Sequence, residues 1–297
     1  MNKANGYVVA FLVVMAVLSL GVAQCAKVPR MIWRAENGIS IGAGANIERQ
    51  TESQSGTTRD AKSGALGAYR LALSGMSRWG DGLYWEIGYA GSRGSLDYRG
   101  NTAYGLPAQA RVYQKTGTLS GRLGFVVSPL WSRDRSAVVI PYLGLGWERL
   151  ASDSVQGALP GGGTRLSGGY YGLGLRADFV MDARWVLSLH GMTGFTHGVE
   201  MTSTQAVGFS GATGTVNDAS VANALGDGPY TSMGATLIYR MQRGTRLSLR
   251  VAHAHWRYGG SAPFVVPGTY SGSVGYERIP GGVVRETQVM LELSRVF

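Results

Sequence analysis

The chain has 297 residues, a net charge of +10, 15% charged residues and 46 glycines. Its mean hydropathy is near zero, which suits either a soluble protein or a membrane barrel that averages lipid-facing and lumen-facing positions. The glycines follow no collagen period, so they favour closely packed β-structure with many turns over a fibre. A single cysteine excludes an internal disulfide.

The N-terminus is predicted to be a signal peptide over residues 1–23. Lys3 provides a positive n-region, residues 8–20 are apolar, and residues 21–23 form a small-residue cleavage site. The apolar run is short for a membrane span, so cleavage is favoured over an uncleaved anchor. Residues 24–37 then form a periplasmic leader. Cys25 lies beside the cleavage site, which keeps lipidation as an alternative, although Gln24 stands where such a site has a small residue.

Beyond the leader, segments with period-2 alternation recur at the length of barrel strands. No later segment offers 18 consecutive apolar residues, so a membrane-spanning chain would need a closed barrel. Ten strands are predicted, an even number as in bacterial single-chain barrels, while 8 or 12 stay open because two long links could hide a hairpin. The segments are 39–47, 69–73, 83–89, 119–127, 143–147, 171–179, 185–189, 233–239, 247–251 and 289–297.

The links between these segments alternate in length. Short links are predicted at 77–82, 128–136, 181–184 and 241–245, and long ones at 48–63, 97–111, 151–165, 196–228 and 259–282. Short periplasmic turns with longer extracellular loops are typical of outer-membrane barrels. Aromatic residues near the link ends are predicted to form interfacial girdles: Trp79, Trp131 and Trp185 beside short turns, and Tyr98, Trp147, Trp256 and Tyr258 near long loops.

The inner face of the predicted strands carries acids and bases in near balance. A ten-strand barrel is narrow, and unpaired buried charges are costly, so we expect these groups to pair and close the lumen. The alternative is a narrow, anion-preferring path lined by arginine. Glycines on the same face leave room for Tyr84, Tyr142, Tyr170 or Arg250, or for a ligand. The predicted lumen network is Glu86, Arg122, Glu148, Arg176, Asp178, His190, Arg240, Arg246, Arg250, Glu286 and Glu292.

The last ten residues form a strand that ends on an aromatic ring. Val289, Leu291, Leu293 and Phe297 share one face. This ending resembles the C-terminal assembly signal of Gram-negative outer-membrane β-barrels, although Arg295 stands at an outward position where an apolar residue is usual. The resemblance implies an all-β, transmembrane, antiparallel up-and-down barrel over residues 38–297. It also implies insertion into the outer membrane by the barrel assembly machinery.

Catalytic patterns of other outer-membrane barrels are not found in the sequence. The chain resembles the omptin proteases in length and strand number only, because no Asp-x-His or paired Asp ends a strand. The His-x-Ser-Asn pattern of lipid A deacylases is also missing, and a phospholipase-type Ser/His/Asn set cannot be placed. His253 and His255 could share a metal, but no third ligand is identifiable. We therefore predict no catalytic residue, no metal and no cofactor, with a rim-site hydrolase as the least favoured alternative.

The basic charge is interpreted as suiting anionic lipopolysaccharide rather than nucleic acid. Outer-membrane lipid and lipopolysaccharide are the predicted partners, and the bases expected at loops and rim are Arg49, Arg59, Lys62, Arg93, Arg99, Arg111, Lys115, Arg165 and Arg257. The leading functional hypothesis is a structural or surface-interaction barrel with a largely closed lumen. A narrow passive channel for ions or small solutes is the alternative.

Overall fold

The computed structural model describes residues 28–54, 57–77, 82–101, 107–127, 136–155, 163–209, 216–267, 274–277 and 279–296. The predicted signal peptide, Cys25, Trp79, Trp131 and the terminal Phe297 lie outside these residues. Within them, a seven-residue helix, α1 (Arg30–Glu36), precedes a chain of β-strands. No described helix is long and apolar enough to cross a membrane.

Ten antiparallel strands close into one barrel, which confirms the predicted fold class and strand number. Strands β1 to β7 follow each other around the wall; β7 pairs with β9, β9 with β10, β10 with β13, and β13 returns to β1. The bounds are β1 (Gly38–Gln54), β2 (Thr57–Met76), β3 (Leu83–Asn101), β4 (Pro107–Phe125), β5 (Ala137–Val155), β6 (Thr164–Val180), β7 (Trp185–Phe209), β8 (Val216–Ala224), β9 (Pro229–Arg240), β10 (Thr245–Tyr258), β11 (Phe264–Pro267), β12 (Val274–Glu277) and β13 (Gly281–Arg295).

The three remaining strands lie in the two links that were suspected of hiding a hairpin. β11 and β12 pair only with each other. β9 pairs with the N-terminal half of β7, and β8 pairs with its C-terminal half. β8 and β9 therefore act as one interrupted wall strand, and neither link adds a strand to the count.

The bounds of the predicted long links need correction, because strand structure occupies more than half of the links at 48–63, 97–111 and 196–228. β1 and β2, for example, run to Gln54 and from Thr57, deep into the link predicted at 48–63. The asymmetry of this barrel is thus a wall that continues past the bilayer on one side. The lipid-facing residues end partway along each strand, whereas backbone pairing continues beyond them. The outward side chains there are mostly polar or small, and buried apolar residues such as Leu150 and Leu166 face inward.

The outer face carries a continuous apolar belt. Ile41, Leu123, Leu145 and Leu291 are all more than half exposed, as expected for side chains that face lipid. Aromatic pairs lie at its edges: Trp185 contacts Tyr239 at a ring separation of 4.8 Å beside a short turn, and Tyr69 lies 6.1 Å from Tyr89 near the far edge. Trp147 is exposed, as predicted for a girdle residue.

Trp256 and Tyr258 are corrections to the predicted girdle, because both point into the barrel and are only 2% and 3% exposed. The lipid-facing residues of β10 are the odd-numbered Leu247, Leu249 and Val251. Since alternation continues along the strand, the even-numbered positions 256 and 258 face inward.

Helix α1 fills the mouth of the barrel next to the short turns. Val28 and Ile32 are 1% and 0% exposed and pack with Tyr84, Val138 and other inward residues. The helix ends at Asn37, whose amide donates to the carbonyl of Trp33 at 2.7 Å and whose Oδ1 accepts from the backbone N–H of Met76 at 2.9 Å. The predicted leader is therefore, from residue 28 onward, a plug packed against the barrel interior.

Candidate functional site in the lumen

The lumen is built in layers. An apolar layer that includes α1 lies at the short-turn end. A second apolar cluster lies at the far end, where Leu150, Leu166, Val199 and Val284 are 3% exposed or less. Charged side chains lie between these two layers in two groups. We name the group nearer α1 the paired layer (Glu36, Arg70, Glu86, Arg122, Arg176, Asp178 and Glu292) and the group nearer the far end the acid layer (Glu48, Glu148 and Glu286).

Arg176 is the centre of the paired layer. Its Nε donates to Asp178 at 2.9 Å, its Nη1 donates to the Tyr84 hydroxyl at 2.8 Å, and it forms an ion pair with Glu36 of α1. The guanidinium also lies over the Tyr84 ring, 5.3 Å from its centroid. Because Glu36 belongs to the helix and Asp178 to β6, Arg176 connects the plug to the wall.

Glu86 is the acid shared by the arginines of this layer. Arg70 approaches it at 2.9 Å, Arg122 at 3.7 Å and Arg176 at 3.7 Å. Arg70 also contacts Glu292 at 3.2 Å. The attraction of several cationic partners offsets the desolvation cost of burying the Glu86 carboxylate.

Two predicted network members lie apart from these pairs. Arg246 is buried and donates hydrogen bonds to the carbonyls of Arg34 and Ala35 at the end of α1. Its positive charge therefore stabilises the partial negative charge at the C-terminal end of the helix. Arg240 is a correction. It faces Met31, and no described carboxylate lies within ion-pair distance of it, because β9 ends there at the barrel mouth.

A cavity of about 100 Å³ separates the paired layer from the acid layer. That volume holds on the order of seven water molecules. Arg122, His190 and Arg250 line one part of the cavity, and Glu148 and Glu286 line another. Within the described part of the chain, Arg250 has no carboxylate within ion-pair distance, and Nη1 of Arg122 donates no hydrogen bond.

The acid layer has three carboxyl groups without a described basic partner. Glu48 and Glu286 are direct cross-strand partners on the inner face of β1 and β13, and Glu148 of β5 lines the same cavity as Glu286. Gln114 donates to Glu48, and Ser152 donates to Gln114 at 2.8 Å. One oxygen of each carboxyl group has no described hydrogen-bond partner. Groups arranged in this way share protons or meet a cation, since adjacent like charges oppose ionisation.

Tyrosine rings fill the space that lumen glycines leave. A Cβ at Gly174 would overlap the Tyr142 ring, and a Cβ at Gly146 would overlap the Tyr170 ring. Tyr170 is stacked on Tyr230 at 4.2 Å and 3°, and Tyr142 lies under Arg122, whose guanidinium is 5.3 Å from its ring centroid. The glycines on this face therefore make room for side chains of the protein itself.

Three important residues were missed in the sequence. Arg70 lies between the lipid-facing Tyr69 and Leu71, so alternation already indicated its inward direction. Glu48 falls in the link predicted at 48–63, because β1 extends beyond its lipid-facing residues to Gln54. Glu36 carried no signal, since nothing in the leader indicated that it enters the barrel. Lys62, expected at the rim, instead lies inside, where its Nζ donates to Ser152 at 3.4 Å.

The histidines considered for metal binding lie on the outer face of β10. His253 shares a 2.9 Å hydrogen bond with the Thr287 hydroxyl. Among the residues that the structure describes, no three His, Cys, Asp or Glu side chains are grouped to hold a metal ion.

Comparison with known proteins bears on the fold. No protein-family model matches the chain, and no curated protein sequence matches it. Outer membrane protease OmpT from Escherichia coli superposes with a TM-score of 0.55 at 10% identity, over 88% of this chain and 95% of that chain. The chain has the fold of an outer-membrane β-barrel.

Other outer-membrane barrels are similar at lower scores. The translocator domain of autotransporter NalP from Neisseria meningitidis gives a TM-score of 0.36 at 11% identity, over 99% of this chain and 98% of that chain. The toluene transporter TodX from Pseudomonas putida gives 0.33 at 9% identity, over 93% and 94%. At these identities the likeness concerns the fold alone.

Two exposed acid–base pairs lie on the outer wall. Asp97 is 3.8 Å from Arg111, and His197 is 3.6 Å from Asp227, with all four side chains more than half exposed. Both pairs are open to solvent on the convex side of the barrel. A hydrolytic site needs its groups to converge on a substrate, and these described residues do not converge.

Proposed function

We propose that this protein is a non-enzymatic outer-membrane barrel with a structural or surface-interaction role and a lumen that does not conduct. It reaches the outer membrane after cleavage of the predicted signal peptide. The observation that carries the proposal is an apolar layer at each end of the lumen. Helix α1 packs in one mouth, the apolar cluster around Leu150 and Val284 lies at the other, and ion pairs lie between helix and wall.

Apolar packing at both ends favours a lumen that stays closed. Each end is an apolar layer that would have to separate before ions could pass, and each fully buried aliphatic side chain contributes about 1.5–3 kcal/mol. On the helix side, the Glu36 to Arg176 ion pair and the Arg246 hydrogen bonds add to that packing. A permeating ion would also have to replace the partners of Arg176.

The test is single-channel conductance of the refolded mature chain in planar bilayers, with heat-shifted gel mobility confirming that the barrel is folded. The wild type should give no stable steps. Stable conductance steps from the folded wild type would contradict the proposal. The variant Glu36→Gln with Arg246→Gln should admit brief steps by loosening α1, whereas Arg30→Gln, at an exposed position of the same helix, should stay silent.

A narrow channel is the second candidate, and the mid-lumen cavity is the observation that favours it. Arg250 lines this cavity without a described acidic partner. If wild-type steps occur, Arg122→Ala and Arg250→Ala distinguish the cause. A change in ion preference would assign the path to the lumen arginines, while unchanged preference would place the path elsewhere.

A further inference from the structure

Three basic side chains lie in one row across three neighbouring strands on the outer wall. Arg49 of β1 is the direct cross-strand partner of Arg285 of β13, and Arg285 is the direct partner of His255 of β10. Both arginines are exposed. Arg257 follows two residues after His255 on the same face. We call Arg49, Arg285, His255 and Arg257 the basic row.

Among the side chains that the structure describes, no acid pairs with the basic row. The outward positions of β1, β10 and β13 hold only apolar, hydroxyl and basic residues along their described lengths. No described carboxylate lies within ion-pair distance of Arg49 or Arg285. Nε2 of His255 is buried and has no hydrogen-bond partner among the described residues.

Such an arrangement is costly without a ligand. Direct cross-strand partners have Cβ atoms about 4.5–5.5 Å apart, and like charges at these positions destabilise a sheet. An anion placed between the guanidinium groups would reverse the sign of that interaction. Arginine binds phosphate through charge-assisted, bidentate hydrogen bonds.

The position of the row indicates a lipid rather than a soluble anion. Ile47, which is 55% exposed in the apolar belt, lies two residues before Arg49 on the same face. Val289, also in the belt, lies four residues from Arg285, roughly 13 Å along the strand. With the usual strand tilt, Arg49 stands about 5 Å above Ile47 and Arg285 about 10 Å above Val289, at headgroup level.

We propose that the basic row binds the phosphate of an outer-leaflet glycolipid, with the acyl chains of the same lipid on the belt below. The bound lipid would contribute to stability by neutralising the adjacent guanidinium groups of Arg49 and Arg285. The proposal rests on the outer-membrane location proposed above, but it is independent of lumen conductance, so the two can fail separately.

Binding can be measured by titrating purified bisphosphorylated lipid A into the refolded full chain in zwitterionic micelles. Arg49→Gln with Arg285→Gln should weaken retention of this lipid about tenfold at low salt, the equivalent of one lost charge-assisted contact. Arg30→Gln with Arg184→Gln removes the same charge at exposed positions outside the row and should leave retention unchanged. Dephosphorylated lipid A should bind the wild type as weakly as intact lipid A binds the row variant.

Stability gives a second readout that a general loss of folding would not mimic. Without lipid A, the row variant should resist heat at least as well as the wild type, because like-charge repulsion is removed. With lipid A, the wild type should become the more resistant of the two.

Three results would overturn the proposal. The first is equal retention of lipid A by the row variant and its control. The second is equal retention of intact and dephosphorylated lipid A, which would assign binding to the apolar belt. The third is displacement of lipid A by inorganic phosphate at matched concentration, which would make a soluble anion the ligand.

Discussion

The paired layer and the acid layer are both buried in the same lumen, yet they treat charge in opposite ways. In the paired layer, Arg176 has carboxylate partners from the helix and the wall, and Glu86 is shared by three arginines. In the acid layer, Glu48 and Glu286 face each other with amide and hydroxyl neighbours, and no described base is in ion-pair distance. In the first group opposite charges meet, and in the second the carboxyl groups meet without a described base.

This difference indicates separate tasks for the two groups. Ion pairs are directional and join elements that are far apart in the chain, as Arg176 joins α1 to β6. Neutral or proton-sharing carboxyl groups can pack under an apolar layer at lower desolvation cost. Charge-removing substitutions should therefore have opposite effects in the two layers.

The largest effect is expected for Arg176→Met. It leaves Glu36, Asp178 and part of Glu86 uncompensated in the barrel, and loss of one partner of a buried ion pair costs about 3–5 kcal/mol. The free energy of unfolding can be measured by urea titration in lipid vesicles. Arg184→Met, at an exposed turn position, is the control. A loss below about 1 kcal/mol for Arg176→Met would show that the pairs do not hold the layer.

The same isosteric change in the two layers provides the most direct contrast. Glu86→Gln should lower the free energy of unfolding by about 2–3 kcal/mol, since Arg70, Arg122 and Arg176 lose a shared anion. Glu148→Gln should be neutral or stabilising within about 1 kcal/mol, because it relieves carboxyl repulsion. Equal losses in both variants would mean that Glu148 has a cationic partner after all.

The packing of tyrosine rings against lumen glycines can be tested with Gly174→Ala. The added Cβ overlaps the Tyr142 ring, and overpacking typically costs about 1–2 kcal/mol in such sites. Tyr142→Leu in the same chain should recover part of the loss by vacating that space. If the double variant is no more stable than Gly174→Ala alone, the clash lies with the backbone and not with the ring.

The smallest effect is expected for Arg240→Gln. Because Arg240 lies at the barrel mouth beside Met31 and belongs to neither layer, the free energy of unfolding should change by less than about 0.5 kcal/mol. The same urea titration measures it beside Arg246→Gln, which removes the hydrogen bonds to the end of α1. If Arg240→Gln lowers the free energy of unfolding as much as Arg246→Gln does, Arg240 belongs to the lumen network after all.

Alternation in the sequence determined the fold, the number of wall strands and the inward face of the charges that lie within the predicted strands. These follow because side-chain direction repeats every two residues and lipid accepts only apolar side chains on the outer face. Partner choice was decided by the tertiary structure. Glu36 enters from a helix whose sequence shows no strand pattern, Arg240 leaves the network because β9 ends at the mouth, and Arg49 meets Arg285 only through strand register. Pairing depends on which strands are neighbours and on the register between them, and period-2 alternation specifies neither.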